Sequence, residues 1–530
     1  MHPRLNSQVV LPGLFLLGAL LAFSTNLNSY FLSDDFVQIG KVLRGDFSVA
    51  WGQVHGGFFR PLFILSYIID SRVWHERPLG YHLTNVLVHA LNSFLLFRMG
   101  LKLFRNSSLP ATSIRAAAAA SAALFLLHPS HSEAVNWISG RADLIATFFC
   151  LASLLSFCVY ADAGRSIHLI LGLAFSTLAL LAKESAVCLP FLILITVAYL
   201  SQRRAAVIAF GASALILIAF ILLRGRFLGA IVGGYGTSQH LNFAPGWIRD
   251  RLLEAAVRSI APALPASWSW FLFKPLQSPL FIGIAVAILG LLAAAVIIRR
   301  RQYNDRARQR QNGLLLVIGS LFLVSLLPVI NLRLNLYDSL GERFLYLPTL
   351  FSCLLIGFVL TIMVRSQKIW LVLLICALGF YSWRLYAANR LWHDAAELTR
   401  SIKDEFSTNL PGSRLMILNA PDNLRGVPVF HNGLPEALQV FTTQSRVESV
   451  EISAYQTLKS RFDETTLHEA GDAFTLQPVN LLDTFDRAAS SKCVQLLHSS
   501  VNQLEFRRLP CLDQTDVYFF SGGKMRKSFE

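Results

Sequence analysis

Charged side chains are scarce in this chain. They make up 15% of its 530 residues against 54% hydrophobic, and the mean hydropathy is +0.50, which excludes a single water-soluble globule. The seven cysteines show no metal-type spacing, and five of them (Cys150, Cys158, Cys188, Cys353, Cys376) lie inside apolar runs. No internal repeat of roughly 20–50 residues is visible, which excludes a helical repeat array. Negative charge is also short: 32 Asp and Glu face 47 Lys and Arg, a formal net charge of +15. The positive excess sits mostly in short loops between apolar runs, the pattern of an integral membrane protein oriented by its basic residues and not of a nucleic-acid binder.

A hydrocarbon core about 30 Å thick takes roughly 20 apolar residues per helix. Eleven runs qualify, at about 9–25, 81–101, 115–128, 142–161, 168–182, 187–200, 205–223, 279–298, 314–330, 346–364 and 369–386. The first has a basic start but no small-residue cleavage signature, and reads as a retained span. With a cytoplasmic N-terminus, the inside segments 1–8, 102–115, 162–167, 201–204, 299–311 and 365–368 carry 15 Lys and Arg, six of them in 299–311. An odd number of spans puts the C-terminus outside. From about residue 387 the sequence turns polar, with strand-like runs at 414–420, 427–430 and 516–520 and a helix-like run at 433–441. The fold expected is an all-α polytopic membrane domain, residues 1–395, followed by a small α/β domain, residues 396–530, on the outer face. Cys493 and Cys511 lie in that domain, where a disulfide and two free thiols both fit.

The outer segments hold most of the candidate chemistry. FLSDDF places Asp34 and Asp35 side by side beyond the first span; adjacent carboxylates near a low-dielectric surface repel, which raises one pKa and suits a general base. The run 58–74, with Arg60, Asp70 and Arg72, has the spacing of an amphipathic helix at the membrane interface. His82, Asn85, His89 and Asn92 recur every 3 or 4 residues and line one helical face, best read as an interhelical hydrogen-bond seam. HPSHSEAVNWISGRAD, 128–143, crowds His128, His131, Glu133, Arg141 and Asp143 between spans. This segment matches no zinc motif and reads as a polar pocket that orients substrate. Lys183 with Glu184, and Asp338 with Glu342 and Arg343, stand at two further boundaries. An arginine there suits a phosphate, whose oxygens its planar fork can bond in pairs. Local pairing of Lys183 with Glu184 and of Glu342 with Arg343 is the competing reading. In the outer domain PDNLRGVPVFHNGLPEAL, 421–438, is densest in polar groups, including Asn423, Arg425, His431 and Asn432; glycan or peptide contact and plain turn chemistry both fit.

Taken in order, DD, FRPL, GYHLTNVLVHALN, HPSHSEAVNWISGRADL, LLAKES and GERFLYLP resemble the membrane region of the transmembrane and tetratricopeptide-containing O-mannosyltransferases. More broadly the chain is similar to the protein O-mannosyltransferases and other polyprenyl-phosphate-sugar glycosyltransferases of the GT-C class. The resemblance covers roughly residues 20–395. It implies an inverting transfer of a mannose-like hexose from a polyprenyl-phosphate donor to a hydroxyl of a protein, lipid or glycan on the outer face. Asp34 maps onto the family's base, with Asp35 the alternative, and Glu133 onto the acidic residue of its second outer loop. Arg343, then Lys183 and Arg141, are the cations expected on the donor phosphate; His128, His131, Asp143, Glu342 and Arg60 would orient substrate. No resident cofactor is implied, though some relatives place a divalent cation, Mg or Mn, near these carboxylates. The chain departs from the family in carrying a compact outer domain where tetratricopeptide repeats would stand. With no retention signal, this points to a bacterial inner-membrane protein facing the periplasm. A lipid or small-molecule transporter would use the same charges, but predicts related halves and ionisable groups near the midplane.

Overall fold

A computed structural model describes residues 7–46, 58–200, 203–228, 242, 244–260, 305–332, 340–364, 366–408, 413–442 and 447–528. The apolar run 279–298, the basic residues Arg299–Arg301 and Asp338 lie outside the described residues. Among the described residues five helices are long and apolar enough to cross a membrane, or six if a pair bent by 49°, Ala111–Leu126 and Pro129–Asn136, counts as one. The chain is thus a multi-pass membrane protein with a sheet-rich C-terminal part.

The helices that position the site are α1 (Ser7–Ala22), α2 (Asp34–Leu43), α3 (Pro61–Trp74), α4 (Pro78–Phe104), α5 (Ala111–Leu126), α6 (Ser132–Asn136), α7 (Arg141–Ala163) and α8 (Ser166–Ala182). After α9 (Leu189–Leu200), α10 (Arg203–Leu228) and α11 (Pro245–Ile260) come α12 (Asp305–Leu326), α13 (Tyr346–Met363) and α14 (Gln367–Thr408). Proline at the first helical position starts α3 and α4, where its missing N–H leaves no intrahelical bond unmade. Gly164, at φ 66°, ends α7 in the left-handed conformation. Helix α3 leaves Leu65, Ile69 and Val73 exposed while Phe63, Tyr67 and Asp70 are buried; this one-sided apolar stripe suits an interfacial helix.

The polar stripe on α4 is a hydrogen-bond seam. The His82 ring bonds Ser29 O, Asn85 donates to Val135 O and Trp137 O, His89 bonds Leu126 O and the Tyr346 hydroxyl, and Asn92 donates to Leu144 O. Each bond satisfies a polar group that would otherwise be stranded away from water.

Helix α14 spans 42 residues, about 60 Å at 1.5 Å per residue, which is twice what a bilayer needs. The expected domain boundary at 395/396 therefore falls inside a continuous helix. Its upper part, with Trp392, Ile402 and Phe406, joins Phe31, Phe36, Phe430, Leu434, Phe441 and Tyr518 in one core. That core fastens the C-terminal domain to the loop following α1.

In the C-terminal domain the described residues form twelve strands in three four-stranded sheets with one short helix, α15 (Leu434–Val440), so sheet outweighs helix there. In chain order the strands are β1 (Arg414–Ile417), β2 (Ala420–Leu424), β3 (Val427–Pro428), β4 (Ser449–Ile452), β5 (Tyr455–Leu458), β6 (Thr465–Ala470), β7 (Ala473–Pro478), β8 (Thr484–Asp486), β9 (Val494–Ser500), β10 (Gln503–Arg508), β11 (Asp516–Ser521) and β12 (Lys524–Lys527), and the sheet orders are β12-β11-β1-β4, β6-β7-β10-β9 and β3-β2-β5-β8. Strand β1 (Arg414–Ile417) pairs in parallel with β4 (Ser449–Ile452) and β11 (Asp516–Ser521), Met416 facing Glu451 and Val517. A Cys493–Cys511 disulfide closes the β9 side, with the Cα atoms 5.1 Å apart.

Candidate active site

The candidate groups gather at one end of the helices: the N-terminal ends of α4, α7 and α13 and the C-terminal ends of α5 and α8. The organiser is residues 128–140, which turn back on themselves through two short 3-10 turns around α6. A Cβ at Gly140 would lie 2.7 Å from Ala134 O, so only glycine allows this turn to close.

From this segment Ser139 donates its N–H (2.8 Å) and hydroxyl (2.5 Å) to Asp35 Oδ1, and Leu32 N–H donates to Asp35 Oδ2 (3.1 Å). The Trp137 indole donates to Leu32 O. Asp35 is wholly buried, and burial pushes its carboxyl up to about 7 against the pull of these hydrogen bonds. Both of its oxygens are engaged in holding the loop. Asp34, in the first turn of α2, is only partly buried; its Oδ1 accepts a hydrogen bond from Asn432 Nδ2 of the C-terminal domain, 2.7 Å away. Of the two acids, Asp34 is the one with an oxygen left for a ligand.

From the same segment Glu133 reaches Arg343: its Oε2 accepts the Arg343 backbone N–H at 2.8 Å, Oε1 accepts that of Gly341, and the guanidinium completes an ion pair. The carboxylate is 1% exposed and the guanidinium 17%, so the arginine alone shows a surface. That guanidinium lies over both Trp137 and Phe344, 4.7 Å from each ring centroid. Lys183 approaches the same Phe344 ring, its Nζ 5.3 Å from the centroid. Two cations thus flank one aromatic side chain.

Neither local pairing expected from the sequence occurs. Lys183 pairs with Asp143 at 2.6 Å, Glu184 with Arg60 at 2.5 Å, and Glu342 with the buried Arg258 of α11. Lys183 stands in extended backbone at the end of α8, and Glu342 and Arg343 on a 3-10 turn; consecutive side chains diverge in both, so each charge finds its partner on another element.

Three of the candidate side chains are enclosed by their neighbours. Arg141 is 0% exposed: Nε donates to Asn85 Oδ1 at 2.7 Å, Nη2 to Tyr81 O at 2.8 Å, Nη1 pairs with Asp70 at 2.6 Å, and the Tyr67 ring lies beneath. It latches α3, α4 and α7 together and presents nothing to a phosphate. His128 and His131 are also fully buried, packed on each other and on Phe125, Tyr346 and Tyr381, with ring bonds to Ser259 O and the Thr349 hydroxyl. They support the segment from behind.

Sequence reasoning missed Ser139, Arg258 and Asn389. Asn389 is buried in the middle of α14, where it donates to Ala22 O and accepts from Asn136. A buried amide inside an apolar-flanked helix was the only available signal for it. Arg258 lay in a long loop with nothing to mark it.

The described residues hold no group of three His, Cys, Asp or Glu side chains that could grip a metal ion. Asp35 and Glu133 are already committed to hydrogen bonds and an arginine, which leaves neither as a ready ligand for a divalent cation.

No family model matches the chain. Among curated proteins it is similar to Protein O-mannosyl-transferase Tmtc1 of Drosophila melanogaster, at 33% identity over 187 residues, covering 32% of this chain and 20% of that protein. It is also similar to Protein O-mannosyl-transferase F38B6.6 of Caenorhabditis elegans, at 24% over 326 residues (56% and 41%), and to Protein O-mannosyl-transferase TMTC4 of Mus musculus, at 27% over 417 residues (66% and 55%). The chain thus spans between a fifth and about half of the length of these relatives. The likeness to O-mannosyltransferases first carried by the motifs therefore extends over much of the chain. Among solved structures, ArnT from Cupriavidus metallidurans bound to undecaprenyl phosphate aligns with a TM-score of 0.45 at 12% identity, covering 96% of this chain and 99% of that one. Arabinosyltransferase EmbB from Mycobacterium smegmatis aligns at 0.38 and 12%, covering 83% and 38%.

Proposed function

We propose that this protein is an inverting glycosyltransferase of the GT-C type. It moves a mannose-like hexose from a polyprenyl-phosphate donor to a hydroxyl of a protein, glycan or lipid at the outer face of a bacterial inner membrane. The observation that carries this reading is the shared platform 132–140, which ties the Asp34–Asp35 loop and Arg343 to one spot. Similarity to named O-mannosyltransferases supports the chemistry, and eleven spans with the C-terminus outside would put the site on the periplasmic side.

In the step proposed, Asp34 takes the proton of the acceptor hydroxyl as its oxygen attacks the anomeric carbon. The bond from that carbon to the phosphate oxygen breaks with its electron pair, releasing the polyprenyl phosphate, and the configuration inverts. One base suffices, because no glycosyl-enzyme forms. Negative charge grows on the departing phosphate, where Arg343, with Lys183 beside it, is held ready by Glu133 and Asp143. Cations fixed in place before the reaction need no reorganisation as that charge develops. The Arg343 guanidinium, fixed by Glu133 and 17% exposed, is the donor contact proposed.

The test is transfer from polyprenyl-phosphate mannose by the full chain in bilayer vesicles, wild type against Asp34→Asn. Loss of roughly 100-fold or more is expected for removal of a general base, with expression and melting unchanged. Undiminished transfer by Asp34→Asn would end the assignment.

A further inference from the structure

The C-terminal domain touches the proposed base directly. Asn432, 398 residues away in sequence, donates its side-chain amide to Asp34 Oδ1. The contact is framed on both sides by backbone bonds: Ser33 N–H donates to Val429 O at 2.9 Å, and Asn432 N–H to Ser33 Oγ at 3.2 Å. Gly433 follows at φ 84°, where a Cβ would come within 2.5 Å of Ser33 O, so the two chains approach more closely than a side chain permits. Phe36 stacks on Phe430 and meets Phe441 edge-on, sealing the joint with rings from both sides. Behind it, Arg487 donates to His431 O and pairs with Asp422, which also accepts from His431 Nδ1 at 2.9 Å.

Backbone bonds and aromatic packing would dock the domain without any help from the Asn432 amide. The amide instead reaches one oxygen of the one loop acid whose other oxygen is open. We propose that Asn432 is a positioning residue: it fixes the Asp34 carboxylate by one oxygen and leaves the other aimed at the acceptor hydroxyl, so the outer domain completes the catalytic pocket. The inference rests on Asp34 being the base. It explains why this domain is built onto the loop after α1 and not tethered as an independent module.

Four full-length proteins decide it: wild type, Asn432→Gln, Asn432→Ala and Asn432→Asp, assayed with polyprenyl-phosphate mannose and a Ser/Thr peptide. A residue that merely fills space would be replaced best by aspartate, its near-isostere. A positioning amide predicts the opposite order. Asn432→Gln should retain most transfer, and Asn432→Ala should lose roughly 10- to 100-fold in kcat, the scale of a misplaced catalytic group. Asn432→Asp should be slowest, because it cannot donate and sets a second negative charge beside Asp34. Donor KM should not change in any of them. Melting of Asp34→Ala, Asn432→Ala and the double variant gives an activity-independent check, since groups in contact lose less together than the sum of the singles. Additive melting losses, or an Asn432→Asp protein with wild-type kcat, overturn the inference alone. An inactive wild type overturns the reading of function, and the catalytic half of this inference falls with it.

Discussion

Glu133 and Arg343 stand 210 residues apart in sequence and meet twice, once through the Arg343 backbone N–H at 2.8 Å and once through its guanidinium. The carboxylate therefore sets both where the arginine's chain runs and where its side chain points. Removing it should affect the fold and the chemistry together.

Glu133→Ala is expected to strand the guanidinium and two backbone N–H groups, at about 3–5 kcal/mol for breaking a buried pair. Glu133→Gln, which can still accept the backbone bonds, should lose less stability yet still weaken donor use, because the arginine is no longer oriented by charge. Thermal melting and donor KM, measured on both variants, separate the two effects.

Asp35 gives a pH dependence of definite sign. Its carboxyl sits at about 7 in the folded protein and at 3.8 when unperturbed, with burial the cause. Between those values the folded state holds a proton that the unfolded chain has released, so this group's contribution is greatest below pH 4 and falls as pH rises toward 7. The full span is on the order of 4 kcal/mol. Asp35→Asn should flatten the decline of melting temperature between about pH 4 and 7, while its amide, facing the Leu32 N–H, costs about 1–3 kcal/mol throughout.

Arg141→Lys should be nearly as harmful as Arg141→Ala. The planar fork serves Asn85, Tyr81 O and Asp70 at once, and an ammonium cannot reproduce that geometry. Both variants should lower the yield of folded protein, with losses of about 3–5 kcal/mol for the alanine. Folded Arg141→Lys protein that has lost only donor affinity would contradict the latch.

The Cys493–Cys511 bond closes a short loop, its cysteines 18 residues apart in sequence. Cys493→Ser with Cys511→Ser should destabilise the C-terminal domain by about 3 kcal/mol. The helices should melt as before. Intact protein melted with and without reductant checks it.

Much of the membrane region could be read from the chain alone, and the pairing of its charges could not. Runs such as 142–161 and 346–364 needed only hydropathy, because a helix satisfies its own backbone and its lipid-facing side chains must be apolar wherever it sits. The histidine and asparagine stripe on α4 was visible for a similar reason, since a 3.6-residue period puts its members on one face. The sheet pairing of the C-terminal domain could not be read, because its strands are short and most pair with partners distant in sequence, a relationship no local pattern records.

Sequence by itself determined that this is a multi-pass membrane protein with its acids and bases in loops at span ends, since those properties depend on composition and period. Tertiary structure decided which charges meet. Lys183 turned from neighbouring Glu184 to Asp143, Arg343 went to Glu133, and Asn432 crossed from another domain to Asp34. Adjacent side chains on a turn diverge, and in a poorly hydrated interior each charge must be met by whichever opposite group the packing of helices brings within reach.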